Sequence, residues 1–497
     1  MGLVAKQSLY SFASSYAGMA LGMLNKIFLF PLVFKENDQY WGLLETFLAI
    51  ATIIGSMGHF GMPGVLKRFL PGIEKGSKNL VGFTLLLSSV GCIILLIILF
   101  FGKPLVVDFF ASGADEGMFS AYYGLLLLLV GIMLFFDYFS AILISNFKSH
   151  LPIFLNNVVF RVGVSLCIAA LYVFSFSLET FLYLYILLYL LNLLIAIIYL
   201  AKLRLIGFKL NFNLPERSSY LQFGFFSVLA GSSGWLINYL DTIFVFKLIG
   251  SALVPILAIS KNMVSLVHVP ARAVVNASVP LISKAWQNND KAALESIYKK
   301  SAITEIVIGG ALFLAIWINV DFIISLIPDE KGGNSYAMVK YVLLILGVGR
   351  LIDLAAGANG AIISNSKYYR YTLAANVGLI ILVIILNLWL TPIFGVVGAA
   401  IALGMALAIN NAAMVIFLWK VERIQPFSKS HLITFVIYLT IVATLSHPFE
   451  INMWVDLIIR NLLYVLFVSV LLFYFKPVPE LVQLAQRVKQ KLFFAGR

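Results

Sequence analysis

The sequence predicts an all-α, polytopic membrane protein of about fourteen transmembrane helices, arranged as two six-helix lobes plus two C-terminal helices. Three observations predict it. Of 497 residues, 61% are hydrophobic and 11% charged, and the mean hydropathy of +0.99 lies far outside the range of water-soluble globular proteins. Apolar runs recur between short polar breaks from Leu9 to Phe475, and about 20 such residues in a helix cross a hydrocarbon core of about 30 Å. Two distant segments also read almost alike, "LISNFK" at 143–148 and "IISNSK" at 362–367.

The spans fall at 8–33, 40–66, 80–101, 118–146, 151–174, 178–201, 219–247, 252–280, 301–325, 338–364, 369–390, 395–419, 431–446 and 453–475. If the N-terminus is cytoplasmic, 24 of the 35 Lys and Arg fall on the inner side, five on the outer side and six within spans. That asymmetry is the positive-inside pattern with both termini cytoplasmic. The net charge of +13 then reflects topology, which argues against nucleic acid as a partner. The first apolar segment is too long, and lacks the small-residue cleavage site, for a removable signal. Cys92 and Cys167 sit inside apolar spans and read as packing residues.

The similar hexapeptides each close the fourth span of their half, at an offset of 219, which also carries Asn157 onto Asn376. His59 and Pro71 are spaced like His268 and Pro280. A six-span unit enters twice from the same side, so the copies are related by an axis along the membrane normal. The expected division is 1–210 and 211–425 for the two lobes, 426–475 for the last two helices, and 476–497 for a basic cytoplasmic tail. That tail, ending "RVKQKLFFAGR", either lies on an anionic membrane surface or is solvated.

Polar groups inside spans are costly, so those present normally face a bundle interior or a wet cavity. Six basic residues lie there: Lys26, Arg161, Lys261, Arg272, Arg350 and Arg460. Lys261, Ser265, His268, Arg272 and Asn276 follow helical steps and share one stripe of the eighth span, beside Pro270. A cationic stripe suits an anionic ligand, with Arg272 and Lys261 as a diphosphate clamp; the alternative is pairing of each cation with a carboxylate of a neighbouring helix. Arg350 and Asp353, three apart, are placed to neutralise each other. Arg161 either joins the cavity or pairs with Asp137. Lys26 stands beside a stripe of small and polar residues in the first span.

The acids within spans are Glu45, Asp137, Asp241, Glu305 and Asp353. Asp241, with Asn238 one turn earlier and no base within a turn, is the first candidate for proton or sodium coupling. Asp137, Glu45 and Asp353 are further candidates. No GxxxxGK[ST], HExxH or CxxC is present, so ATP hydrolysis and zinc chemistry are not expected. No cofactor is expected either, and the outer loops are too short for the catalytic domain of a membrane glycan polymerase.

"LNLWLTPIFGVVGAAIAL" at 386–403 resembles the stretch of polysaccharide (O-antigen type) flippases where a span ends at a proline, a glycine turn follows and GAA opens the next. These belong to the multidrug/oligosaccharidyl-lipid/polysaccharide exporter superfamily. "NYLDTIFVFKLIG", "VPILAISKNMV" and "VPLISKAWQNNDKAAL" are similar to the seventh and eighth spans and following loop of the same proteins. The resemblance implies a transporter rather than an enzyme: a flippase carrying undecaprenyl-diphosphate-linked oligosaccharide across the bacterial cytoplasmic (inner) membrane, for lipopolysaccharide or other surface polysaccharide. Ion-coupled alternating access would drive it, and polysaccharide assembly proteins and membrane lipids would be its partners. Related lipid II flippases place cavity cations on the first, second and eighth spans, where Lys26 and Arg272 match and Arg68 stands at a span end. Lys26 has no arginine beside it, a departure from the lipid II pattern. A lipid II flippase and a drug/cation antiporter are the alternatives, the antiporter calling for twelve spans and an acidic cavity.

Overall fold

The structure, a computed structural model, describes residues 3–34, 37–73, 77–205, 216–328, 336–446, 449, 452–475 and 477–478. The basic tail from 479 onward, Lys476 and the loop residues Lys35, Lys75, Lys209 and Lys331 lie outside the described residues. Among those described there are helices and no strands, as expected where lipid offers no hydrogen bonds and each segment must satisfy its own backbone. Among the described residues, ten helices are long and apolar enough to cross a membrane. The other predicted spans also fall on helix: 219–247 within Arg217–Leu248, 338–364 on Met338–Ala355 and Asn359–Ser364, and 431–446 on Lys429–Leu445. The predicted pair 369–390 and 395–419 runs as Tyr369–Val421, broken at Gly395 (φ 64°, ψ −143°), a conformation essentially confined to glycine, three residues after Pro392.

The chain divides into two compact units. The first comprises Met1–Ile259, Pro328–Ser335 and Asn387–Ala399. It holds α1 (Leu3–Met23), α2 (Asp38–Gly58), α3 (Met62–Phe69), α4 (Ser77–Phe101), α5 (Tyr123–Ser145), α6 (Phe160–Phe174), α7 (Leu178–Lys202) and α8 (Arg217–Leu248). Two π-helical turns interrupt it, Leu24–Leu29 after α1 and Leu155–Val159 before α6. They fall at Asn25–Lys26 and Asn156–Asn157, polar positions of the first and fifth spans, and such bulges concentrate where polar side chains must be re-aimed. An aromatic cluster packs beside the first: Phe30 lies 5.4 Å from Trp41 and 6.0 Å from Phe181, and Phe34 lies 5.6 Å from Phe181. Helix α8 packs on α2 and α3. A Cβ at Gly42 would overlap the Ser251 carbonyl, and one at Gly61 (φ 71°) the Gly224 carbonyl, so only glycine permits this approach.

The second unit comprises Ser260–Ile327, Tyr336–Leu386 and Ala400–Arg497. It contains most of α9 (Val254–Gln287), then α10 (Lys291–Ile318), α11 (Met338–Ala355), α12 (Asn359–Ser364), most of α13 (Tyr369–Val421), α14 (Lys429–Leu445) and α15 (Met453–Val470). Asp290 opens α10 by accepting from the Ala293 amide at 2.9 Å, an N-cap. The last two helices pack on α10: Leu314, Ile318, Tyr438, Ile441, Leu445 and Leu471 form one core. Arg460, buried, pairs with Asp456 and donates to the Ile318 carbonyl at 2.5 Å, so this basic span residue is structural.

The repeated hexapeptides end helices in the same way. Asn146 donates from Nδ2 to the Ile142 carbonyl, and Asn365 to the Ala361 carbonyl, both at 2.8 Å. One local device therefore closes a helix in each half of the chain.

Candidate functional site

The polar stripe of α9 is the starting point, because a helix has to offer its polar face to something. Three of its residues, His268, Arg272 and Asn276, line a cavity of about 250 Å³ inside the second unit. Glu305 of α10, Asp353 of α11 and the backbone of 357–361 complete the wall. Arg272 and Asn276 are exposed, His268 is half-buried and Glu305 is only 3% exposed, so the cavity runs from a basic, polar rim to a buried acidic floor. Lys261 lies outside this wall, two to three turns up the same stripe, and is half-buried.

The wall opposite α9 is shaped by one glycine. Gly357 has φ 59°, and a Cβ on it would sit 2.7–2.8 Å from Ala302 Cβ, Cα and N. Glycine thus lets the turn between α11 and α12 press directly on α10, bringing Asp353 and Asn359 to the cavity. The side chains there form a relay. Arg350 Nη1 lies 2.8 Å from Asp353 Oδ2, the pairing that their spacing predicts. Asn411 of α13 donates to Asp353 Oδ1 at 2.9 Å and accepts from Asn359 Nδ2 at 2.9 Å. Asp353 therefore has both oxygens engaged. In contrast, Glu305 Oε1 and His268 Nδ1 are buried and lack hydrogen-bond partners among the described residues. Arg272 makes no hydrogen bond or ion pair with another described residue.

The polar residues of the first unit are arranged differently. Lys26 Nζ contacts Glu45 at 2.7 Å (Oε1) and 2.9 Å (Oε2), and Trp41 Nε1 donates to the same carboxylate at 3.1 Å. The cation assigned to the cargo cavity and the acid assigned to coupling are thus each other's partner. Arg161 does not pair with Asp137: its guanidinium donates to the Gly18 carbonyl and lies against Gly22. Asn25 braces the same spot, donating to the Arg161 carbonyl at 2.8 Å and accepting from Ser165 at 2.6 Å. Asp137 instead faces His59 Nε2 at 3.2 Å. Asp241 is fully buried, with Oδ1 accepting the Thr242 amide at 2.9 Å. Asn387 and Thr391, also fully buried in this unit, bond each other at 3.1 Å.

Helical periodicity finds the α9 side of the cavity, but Asn359 and Asn411 escape it, since the partner of each lies on another helix. Glu305 is visible as an acid in a span. Its place opposite Arg272 depends on the Gly357 turn, for which the "AAGANG" run at 355–360 is the available signal.

Residues 227–389 match the MatE family model. Over 193 residues the chain is 21% identical to the probable low-salt glycan biosynthesis flippase Agl15 of Haloferax volcanii, covering 39% of this chain and 40% of that protein. The chain thus spans less than half of that relative's length. The fold is similar to the lipid II flippase MurJ in an inward closed conformation, with TM-score 0.72, 16% identity, and 94% of this chain and 99% of the other covered. It is also similar to an inward-facing multidrug resistance MATE family transporter, with TM-score 0.66, 16% identity, and 82% and 94% covered. A segment in the middle of this multi-pass membrane protein thus matches the MatE family model, within a fold similar to that of MurJ over almost its whole length.

Proposed function

We propose that this chain is a flippase for polyprenyl-diphosphate-linked oligosaccharide, working by ion-coupled alternating access in a cytoplasmic membrane with both termini inside. The observation that carries this reading is Arg272: an exposed guanidinium, without a hydrogen-bond or ion-pair partner among the described residues, at the rim of a polar cavity on the polar stripe of α9. A guanidinium suits diphosphate oxygens because its planar fork makes paired, charge-assisted hydrogen bonds. A drug/cation antiporter would find a cation at the cavity rim, which repels its substrate. In this reading no bond is broken: Arg272, with Lys261 above it on the stripe, holds the diphosphate, the cavity meets the sugar, and the prenyl tail stays in lipid.

Lipid II is the second cargo reading, favoured by the likeness to MurJ over nearly the whole chain. Against it stands Lys26, which is paired with Glu45. Coupling to a proton or sodium gradient is assigned first to Asp241, as the fully buried carboxylate of α8.

Leaflet sidedness tests the proposal. Proteoliposomes carry a polyprenyl-diphosphate oligosaccharide, and its exposure to an external sugar-modifying enzyme is followed under imposed proton or sodium gradients. Protein-dependent exposure of the inner pool is expected, beyond that given by an unrelated membrane protein. No exposure under either gradient would rule this cargo class out, and parallel vesicles with lipid II distinguish the two cargoes.

A further inference from the structure

We infer that the cavity of the second unit is a sugar subsite, seating the single sugar ring attached directly to the diphosphate; this rests on the cargo reading above and adds which part of the cargo sits where. The lining selects the ligand by exclusion. A phosphate group, which only accepts hydrogen bonds at neutral pH, would meet the carboxyls of Glu305 and Asp353 inside. A metal or organic cation would meet Arg272 at the rim, with Arg350 behind Asp353. An apolar group would leave Glu305 Oε1 and His268 Nδ1 buried without partners, and such atoms are costly to leave unsatisfied. A sugar ring is neutral, and each of its hydroxyls both donates and accepts. It can give hydrogens to Glu305 and accept from Arg272 and Asn276.

Size and position agree. A cavity of about 250 Å³ is too large for a bare ion and suits one ring rather than an oligosaccharide. Among the described residues, Arg272 at the rim is the one Lys or Arg in its wall. A diphosphate held there directs its own first sugar inward, while later sugars remain outside. Glu305 is 3% exposed and belongs to the wall, so the acceptor at the floor is a buried, built feature rather than a surface side chain.

The test uses full-length protein in nanodiscs, titrated with farnesyl diphosphate and with farnesyl diphosphate carrying N-acetylglucosamine, glucose or galactose. At least one sugar-linked probe should bind tenfold or more tighter than farnesyl diphosphate. Glu305→Gln, nearly isosteric, should lose that increment and bind farnesyl diphosphate as the unmodified protein does. Gly360→Leu fills the cavity from a position whose Cβ would meet nothing within 4 Å, and should do the same even if the Glu305 variant fails to fold. Equal affinity for all four probes overturns the subsite, as does retention of the increment in Gly360→Leu, or equal weakening of all probes by it. Failure of every probe to bind instead removes the diphosphate-linked cargo itself, a separate outcome that takes the subsite with it.

Discussion

Both units pair cations within their spans, and they differ at Arg272 of the second. In the first, Lys26 is committed to Glu45 and Arg161 to the Gly18 carbonyl, and the His59 imidazole faces Asp137. In the second, Arg350 is committed to Asp353, yet Arg272 has no hydrogen-bond or ion-pair partner among the described residues and stands over a cavity with an orphaned carboxyl oxygen at its floor. Burying a paired charge contributes little net stability, while leaving one unpaired is expensive. A paired arginine in a span needs no ligand, whereas an exposed one with its donors uncommitted is available to bind one. This comparison supports the proposal that the second unit's cavity, rather than the paired charges of the first unit, binds the cargo.

The largest effect should come from the turn that shapes the cavity. Gly357→Val places a β-branched residue at φ 59° and drives its Cβ into Ala302, costing about 3 kcal/mol or more. Loss of monodisperse protein in size-exclusion chromatography is expected, and normal thermal unfolding would break the claim that this glycine sets the approach of α12 to α10. Next, Glu45→Ala should cost about 3 kcal/mol by stranding Lys26. The double variant Lys26→Met with Glu45→Met should return to within about 1 kcal/mol of the parent, because both charges leave together. A double variant no better than the single one would mean that Lys26 is more than half of a structural pair.

Asn411→Ala removes the donor to Asp353 and the acceptor for Asn359, and a loss of about 1–2 kcal/mol in thermal stability is expected. The smallest effect is assigned to Gly22→Ala. Its methyl displaces only the tip of the Arg161 side chain, costing about 1 kcal/mol or less, and transport should persist. Abolished transport with an unchanged melting temperature would move Arg161 into the functional site and blur the contrast between the units.

What the sequence made legible follows from the range of its rules. Hydropathy located the helices, and the period of 3.6 put His268, Arg272 and Asn276 on one face and paired Arg350 with Asp353, because these relations lie within single helices. Partners on different helices were not legible. Which carboxylate faces Lys26, and whether Arg161 meets Asp137, depend on how far one helix slides past another. Close contacts set that slide: Gly18 against Asn157, Gly42 against the Ser251 carbonyl and Gly357 against Ala302. Glu305 shows the same limit, an acid evident in a span whose role became visible only opposite Arg272.

The central claim, that the working cation is Arg272 rather than the paired charges of the first unit, is tested most directly by leaflet sidedness in three proteoliposome preparations. These carry the parent, Arg272→Ala, and the double variant Lys26→Met with Glu45→Met, each confirmed as folded and inserted. The account predicts loss of transport in Arg272→Ala, partial recovery in Arg272→Lys, and transport near the parent level in the double variant. Normal transport by Arg272→Ala, or its loss in the folded double variant, would contradict it.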